Sequence, residues 1–396
     1  MTRLLHLLAA AFVCALAIDS FSLASRPTLF LPPIAVLFAL GWLTWALTFR
    51  APASSVLNRR RREIALAVGS TLVSLVLALA ASMWIPMGRS ANFERAHYDA
   101  RHGAVGQSAD GELGWAPLAG DGVVGQRLQT VDPARPHVVL VGDSILYGLN
   151  LSDAETAPEI LNARRRDVQF LNASVSGWSI EQYWLYLRRV LPATKPKAIV
   201  IGLFTGNDVQ LTGREYTPWG FAKPLYGLDG SGALVRKNRG AGCINGLAQS
   251  LLFRGLWKKQ AWAVSLIRTL CDPVELPRGE VERAIAKMFD EIEALGRARG
   301  VPVVWALLPT KFEVSAYGAD WMKYIAKYGL LRRLLAEGHH ETLDFYPEIL
   351  RAHANLDEIF QNDNAHMTAA GHRLLADVLE RYLAGRGYLP PSPPPQ

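Results

Sequence analysis

The chain has 396 residues, enough for more than one domain, and half of them are hydrophobic against 19% charged. Its formal charge of +7 partly reflects one short arginine run beside an apolar stretch, which argues poorly for nucleic acid and says little about a substrate. The three cysteines form no Cys-x-x-Cys pair, so no metal site is expected, and no cofactor motif is present.

Three apolar stretches open the chain: Leu4–Ile18, Leu29–Leu47 and Ile64–Ile85. A membrane-spanning helix needs about 20 apolar residues, and the second and third qualify. The first is short and stops at Asp19. It reads either as a signal peptide ending near Ser22-Leu23-Ala24 or as an uncleaved span. Arg50 and Arg59-Arg60-Arg61-Arg62 lie between the second and third stretches, and the positive-inside rule places that loop in the cytoplasm. Residues 1–87 therefore read as an inner-membrane anchor of two to three transmembrane helices, and everything after about Met87 as periplasmic.

Residues 88–135, rich in Gly, Ala, Asp and Pro, read as a linker and lead-in. Within them Leu113-Gly114-Trp115-Ala116-Pro117 is a candidate for docking on the domain C-terminal to it. From 136 to 386 strand and helix patterns alternate. His137–Val141 is a strand, and Ser152 with Glu155 is a capping box opening a helix to about Arg164. Val168–Leu171 is a second strand, and Ser179 with Gln182 caps a helix through Val190. Lys197–Leu203 is a third strand, apolar on both faces. Glu280–Arg299 is an amphipathic helix ended by Gly300, followed by strand Val301–Leu307, and Thr368 caps a last helix. This alternation predicts a parallel sheet with helices on both sides.

The stretch 209–278 interrupts the pattern as an insertion. It carries Trp219, Phe221, Tyr226, Trp257 and Trp262, which either shape a binding site or form a subsidiary core. It also holds Cys243 and Cys271, which are expected to pair if exported. Closing that loop would stabilise by ~3–4 kcal/mol in the chain-entropy model. Cys14 reads as a buried small hydrophobe, and His339-His340 as solvated surface. Residues 387–396 are a proline-rich tail.

Four loop segments carry chemistry. Gly142-Asp143-Ser144 ends the first strand and puts a hydroxyl at the carboxyl edge of the sheet, where open α/β sheets bind ligands. Gly177 follows the second strand just before a helix start, where backbone N–H groups lack partners. Asn207, in Gly206-Asn207-Asp208, is a neutral donor after the third strand. Asp363-x-x-His366 precedes the last helix. Asp143 and Asp208 read as holding their own turns, and His372 faces largely away from His366.

Together these blocks resemble the SGNH/GDSL hydrolase superfamily over about residues 135–385. The run His366-Met367-Thr368-Ala369-Ala370-Gly371-His372 is similar to the family's usual ending. One departure is Thr205, where the family often has glycine two residues before the asparagine. The resemblance implies a three-layer α/β/α, flavodoxin-like domain and a serine esterase mechanism. Ser144 would be the nucleophile, His366 the general base and acid, and Asp363 the group that orients the imidazole. The N–H groups of Ser144 and Gly177 with the Asn207 amide would form the oxyanion hole.

The expected protein is a membrane-anchored hydrolase acting on O-acyl, mainly O-acetyl, esters of envelope or exported glycans, in company with other polysaccharide-modifying proteins. The alternatives are an O-acyltransferase using the same acyl-enzyme, a lysophospholipase or lipid esterase, and a non-catalytic glycan-binding or assembly protein.

Overall fold

In a computed structural model of the chain, the described residues are 107–117, 122–194, 196–218, 222–240, 243–244, 267–315, 321–352 and 355–389. The three apolar N-terminal stretches and residues 390–396 of the proline-rich tail lie outside them, as do Trp219, Phe221, Trp257 and Trp262 of the insertion. Among the described residues no helix is long and apolar enough to cross a membrane. The chain divides into two compact units. The larger holds the sheet and the candidate site. The described part of the smaller includes Cys243 and Cys271, joined by a disulfide with Cα atoms 5.4 Å apart.

Two hairpins lead in: β1 (Gln107–Asp110) with β2 (Gly114–Pro117), and β3 (Val123–Val124) with β4 (Gln129–Thr130). The central sheet then takes β5 (His137–Gly142), β6 (Gln169–Asn172), β7 (Ala198–Phe204), β10 (Val303–Leu308) and β11 (Thr342–Asp344). A further hairpin, β8 (Tyr226–Leu228) with β9 (Leu234–Arg236), lies in the insertion. The sheet order is β11-β10-β7-β5-β6, and every pairing is parallel. In strand sequence this is the 2-1-3-4-5 order of flavodoxin-like sheets, and the order reverses between β5 and β7. Every residue of β5, β7 and β10 is buried, as expected of strands covered on both faces.

Helices cover both faces. Helix α1 (Ser144–Tyr147) follows β5, and α2 (Ala157–Arg164), α3 (Ile180–Thr194) and α4 (Asp208–Thr212) come next. They are followed by α5 (Arg278–Arg297), α6 (Lys311–Ser315), α7 (Trp321–Glu337), α8 (Tyr346–Ala352) and α9 (Ala369–Gly385). Helices α2, α8 and α9 share one core with Val138 and Leu140 of β5, through Leu161, Ile349, Leu375 and Leu379. Helix α3 packs against α5 and against β5.

Local signals placed most of these elements within a few residues. The Ser152–Glu155 box is present but caps a single 3-10 turn, because Pro158 near the start of α2 favours a new helix start there. The Ser179 N–H donates to Gln182 Oε1 at 3.1 Å, and α3 runs on past Val190 through Pro192 to Thr194. One sequence expectation is corrected. His340 is not solvated: its side chain is 6% exposed and lies 3.4 Å from Glu293, edge-on to the Phe289 ring.

His372, near the start of α9, is fully buried, and its Nδ1 accepts the Ala157 N–H at 3.1 Å. Burial pushes its pKa down to about 3, helped by the nearby charges of Arg127 and His366. Unfolded, it takes up a proton near pH 6.5, so below that the unfolded state holds more protons and stability falls with pH until about 3. The wild-type chain is therefore expected to lose about 1.4 kcal/mol per pH unit more than His372→Gln across that window, measured by urea denaturation. Parallel stability curves would show that the folded protein tolerates the charge.

Candidate active site

The site begins with a steric vacancy. Gly142 of β5 stands opposite Gly202 of β7. A Cβ on Gly202 would lie 2.4 Å from Leu146 Cδ1, and one on Gly142 would lie 3.0 Å from the same atom. Without side chains there, Leu146 drops against the strand ends and α1 starts straight off β5. Asp143 caps it, its Oδ1 accepting the Ile145 N–H at 2.9 Å. Ser144 is thereby held in the first helical turn at the carboxyl edge of the sheet, 6% exposed.

The partner histidine arrives from the far end of the chain. Gln361 N–H donates to His366 O at 2.7 Å, and the Gln361 side chain donates to Leu149 O and Met367 O. Thr368 caps α9 directly beyond. In this loop Asp363 Oδ1 accepts the N–H groups of Ala365 and His366, at 3.0 and 2.9 Å. Its Oδ2 lies 2.5 Å from His366 Nδ1, and His366 Nε2 lies 2.8 Å from Ser144 Oγ. With the Nδ1 proton directed at Asp363, Nε2 is the free acceptor and the Ser144 hydroxyl donates to it. Burial acts to raise the Asp363 carboxyl, but the Ala365 and His366 hydrogen bonds outweigh it and hold the pKa below the ordinary value.

Gly177 and Asn207 complete the edge. Trp178 N–H donates to Val175 O at 3.3 Å, closing a turn in which Gly177 has φ +80°. That is the third position of a type II turn, which a side chain would strain. Asn207 sits at the N-cap position of α4, yet its side chain makes no capping bond. Instead it hydrogen-bonds the Asp143 carboxylate. The structure thus links Ser144, His366 and Asp363 side chain to side chain, joins Asn207 to Ser144 through Asp143, and puts Gly177 on the loop after the adjacent strand.

Two buried carboxyls underlie the edge. Burial pushes Asp143 up to about 6, opposed by the Ile145 N–H, the charge of His366, Asn207 and Ser144. Asp208 is pushed up further, by burial and then by the charge of Asp143. Its oxygens accept Tyr183 Oη at 2.9 Å and Phe204 N at 2.8 Å, which locks the turn out of β7 as the sequence suggested. Beside them Lys223 and Glu181 form a fully buried ion pair of 2.9 Å.

The lead-in also serves this edge. Trp115 Nε1 donates to Ser176 O, Gln126 N to Ser174 O, and Ser176 N to Gln126 Oε1. A Cβ on Gly125 would sit 1.9 Å from Asn172 O, so this segment presses directly on the end of β6. The docking anticipated for Leu113–Pro117 is made at Trp115, and Gly125 and Gln126 add to it. Two groups at the edge escaped the sequence reading: Glu313, bonded to Thr205, and Lys327, bonded to Gly206 O. Neither lies in a recognisable motif.

An α/β domain with a Ser–His–Asp array at the switch point of a parallel sheet defines a class of hydrolases. The model for the GDSL-like lipase/acylhydrolase family matches residues 140–374, more than half of the chain. The chain belongs to that family and is an enzyme acting on ester bonds. No curated protein matches it by sequence. Among solved structures it is similar to TesA, with 17% identity and a TM-score of 0.38 over 64% of this chain and 99% of that one. It is also similar to a lipolytic G-D-S-L family protein of Veillonella parvula, with 15% identity and a TM-score of 0.37 over 63% and 98%. The esterase EstA of Pseudoalteromonas sp. aligns at 12% identity and a TM-score of 0.38 over 64% and 99%.

The glycine pair gives a direct test. Gly202→Ala forces Leu146 or the strand to move, and overpacking of this kind costs typically about 1–3 kcal/mol. Urea denaturation is expected to show a loss in that range. An unchanged midpoint would mean that Leu146 does not need the space.

Proposed function

We propose that the protein is a membrane-anchored serine ester hydrolase that removes O-acyl groups, chiefly O-acetyl, from envelope or exported glycans. The observation that carries the catalytic part is the unbroken chain Ser144 Oγ–His366 Nε2 at 2.8 Å and His366 Nδ1–Asp363 Oδ2 at 2.5 Å. Ser144 attacks the ester carbonyl while His366 takes its proton; the bond from the carbonyl carbon to the sugar oxygen then breaks, the imidazolium returns the proton to that departing oxygen, and the acyl group stays on Ser144. Asp363 holds Nδ1–H and stabilises the imidazolium. The oxyanion is received by the N–H groups of Ser144 and Gly177 and by the Asn207 amide, which has two hydrogens and spends one on Asp143. Water, activated by His366, then cleaves the acyl-serine. The three apolar stretches and the arginine loop between them support anchorage with this domain on the periplasmic side. A substrate fixed in the envelope suits a tethered enzyme.

Full-length protein should release nitrophenol from p-nitrophenyl acetate. Ser144→Ala should lower kcat by roughly 10⁴-fold or more, and Asn207→Ala by roughly 10²–10³-fold. Wild-type rates in Ser144→Ala would overturn the catalytic assignment. Acetylated xylan, incubated with and without a deacetylated acceptor glycan, should yield free acetate. Acetate appearing only on the acceptor would replace hydrolysis by transfer. For the topology, alkaline phosphatase fused at the C-terminus should be active in cells, and an inactive fusion would reverse the orientation.

A further inference from the structure

Glu313 is fully buried, on a five-residue helix beyond β10, and plays no part in the proton relay. Its Oε2 accepts Thr205 Oγ1 at 2.7 Å and also the Thr310 N–H. Thr205 is two residues before Asn207. The neighbouring Lys311 N–H donates to Asn364 O at 3.0 Å, inside the Asp363–His366 loop. From α7, Lys327 Nζ donates to Gly206 O at 2.6 Å, and its charge also acts on Glu313. One carboxyl therefore grips the end of β7 by a side chain and the end of β10 by a backbone N–H. The ammonium grips the next carbonyl along the same loop. Burying an acid this deeply is costly, because desolvation raises its pKa by more than the Thr205 and Thr310 bonds and the Lys327 charge lower it. An apolar residue would fill the volume without that cost.

We propose that Glu313, assisted by Lys327, is a positioning residue for ester hydrolysis: it locks the Thr205–Asn207 loop, which carries one oxyanion donor, to the segment that holds Asp363 and His366. This rests on the assignment of Asn207 as an oxyanion donor. A donor displaced by about 1 Å costs on the order of 10²-fold, so a loose loop would forfeit most of what Asn207 contributes.

The test uses full-length protein and p-nitrophenyl acetate. Glu313→Ala is expected to lower kcat about 10–100-fold with KM within twofold. Thr205→Val, which removes only the hydroxyl, should follow in the same direction. Glu313→Gln keeps an acceptor oxygen for Thr205 and Thr310 and should restore kcat to within a few-fold of wild type. The decisive readout is the background dependence of Asn207→Ala: roughly 10²–10³-fold in the wild-type chain, but smaller in Glu313→Ala by the same factor, about 10–100-fold, that Glu313→Ala itself costs. A general loss of folding would lower the active fraction without changing that ratio. If Asn207→Ala costs the same in both backgrounds, Glu313 does not act through Asn207 and the inference falls alone. If Asn207→Ala costs nothing in the wild-type chain, the oxyanion assignment fails and takes the inference with it. Thr205→Val supplies the same comparison should Glu313→Ala not fold.

Discussion

A hydrogen bond of 2.8 Å joins Ser144 to His366 across 222 residues of chain, and the rest of the described structure fixes its two ends. One end is set by the strand register. Gly142 opposite Gly202 lets Leu146 sink, and Leu146 sinking lets the helix begin at Ser144. The other end is set by loop bonds, because His366 precedes α9 rather than lying in it. Gln361 and Asn364 tie that loop to Leu149 and Lys311, and Asp363 holds the His366 ring from within it. A side-chain bond between two such remote segments gains little by itself, typically about 1 kcal/mol net. Its geometry is therefore a consequence of the surrounding packing, not its cause.

The same edge concentrates buried charge. Asp143, Asp208, Glu181, Lys223 and Glu313 are all inaccessible to solvent, and each carboxyl among them is shifted upward by burial. Such groups are poor sources of stability, since desolvation of a buried pair can exceed its Coulombic gain. What they supply is direction. Asp143 restrains the turn that presents Ser144 and meets Asn207, Asp208 restrains the exit from β7, and Lys223 binds the carbonyls of Leu211, Arg214 and Pro224 around the end of α4. A fixed polar frame needs no reorganisation when charge develops during acyl transfer.

Ser144, Gly177, Asn207 and His366 were legible in the sequence because each is announced locally, by a strand that stops, a glycine before a helix or a cap after a loop. The strands β5 and β7 were legible for the same reason, being uninterrupted apolar runs. Strand β11, with three residues, and the lead-in hairpins, with two to four per strand, are too short to show a period. The burial of His340 has no local signal: its neighbour His339 is exposed, and the Phe289 and Trp305 rings around it come from distant segments. Lys327 reaches Gly206 across 121 residues, and Glu313 reaches Thr205 across 108. Only the folded sheet, which sets β7 beside β10, makes those pairs neighbours.

The lead-in shows how a family fold acquires a particular site. The family match begins at residue 140, yet the segment before it holds the loop that carries Gly177. Trp115 and Gln126 bind Ser174 and Ser176, Trp178 Nε1 returns a bond to Trp115 O, and Gly125 lies against Asn172. A type II turn of two central residues has little stability alone, and its Gly177 N–H is aimed only as well as its flanks are held. Chain outside the common domain therefore helps set the position of the Gly177 turn inside it. The region that reads as a tether from composition thus braces, through Trp115, Gly125 and Gln126, the loop at the carboxyl end of β6.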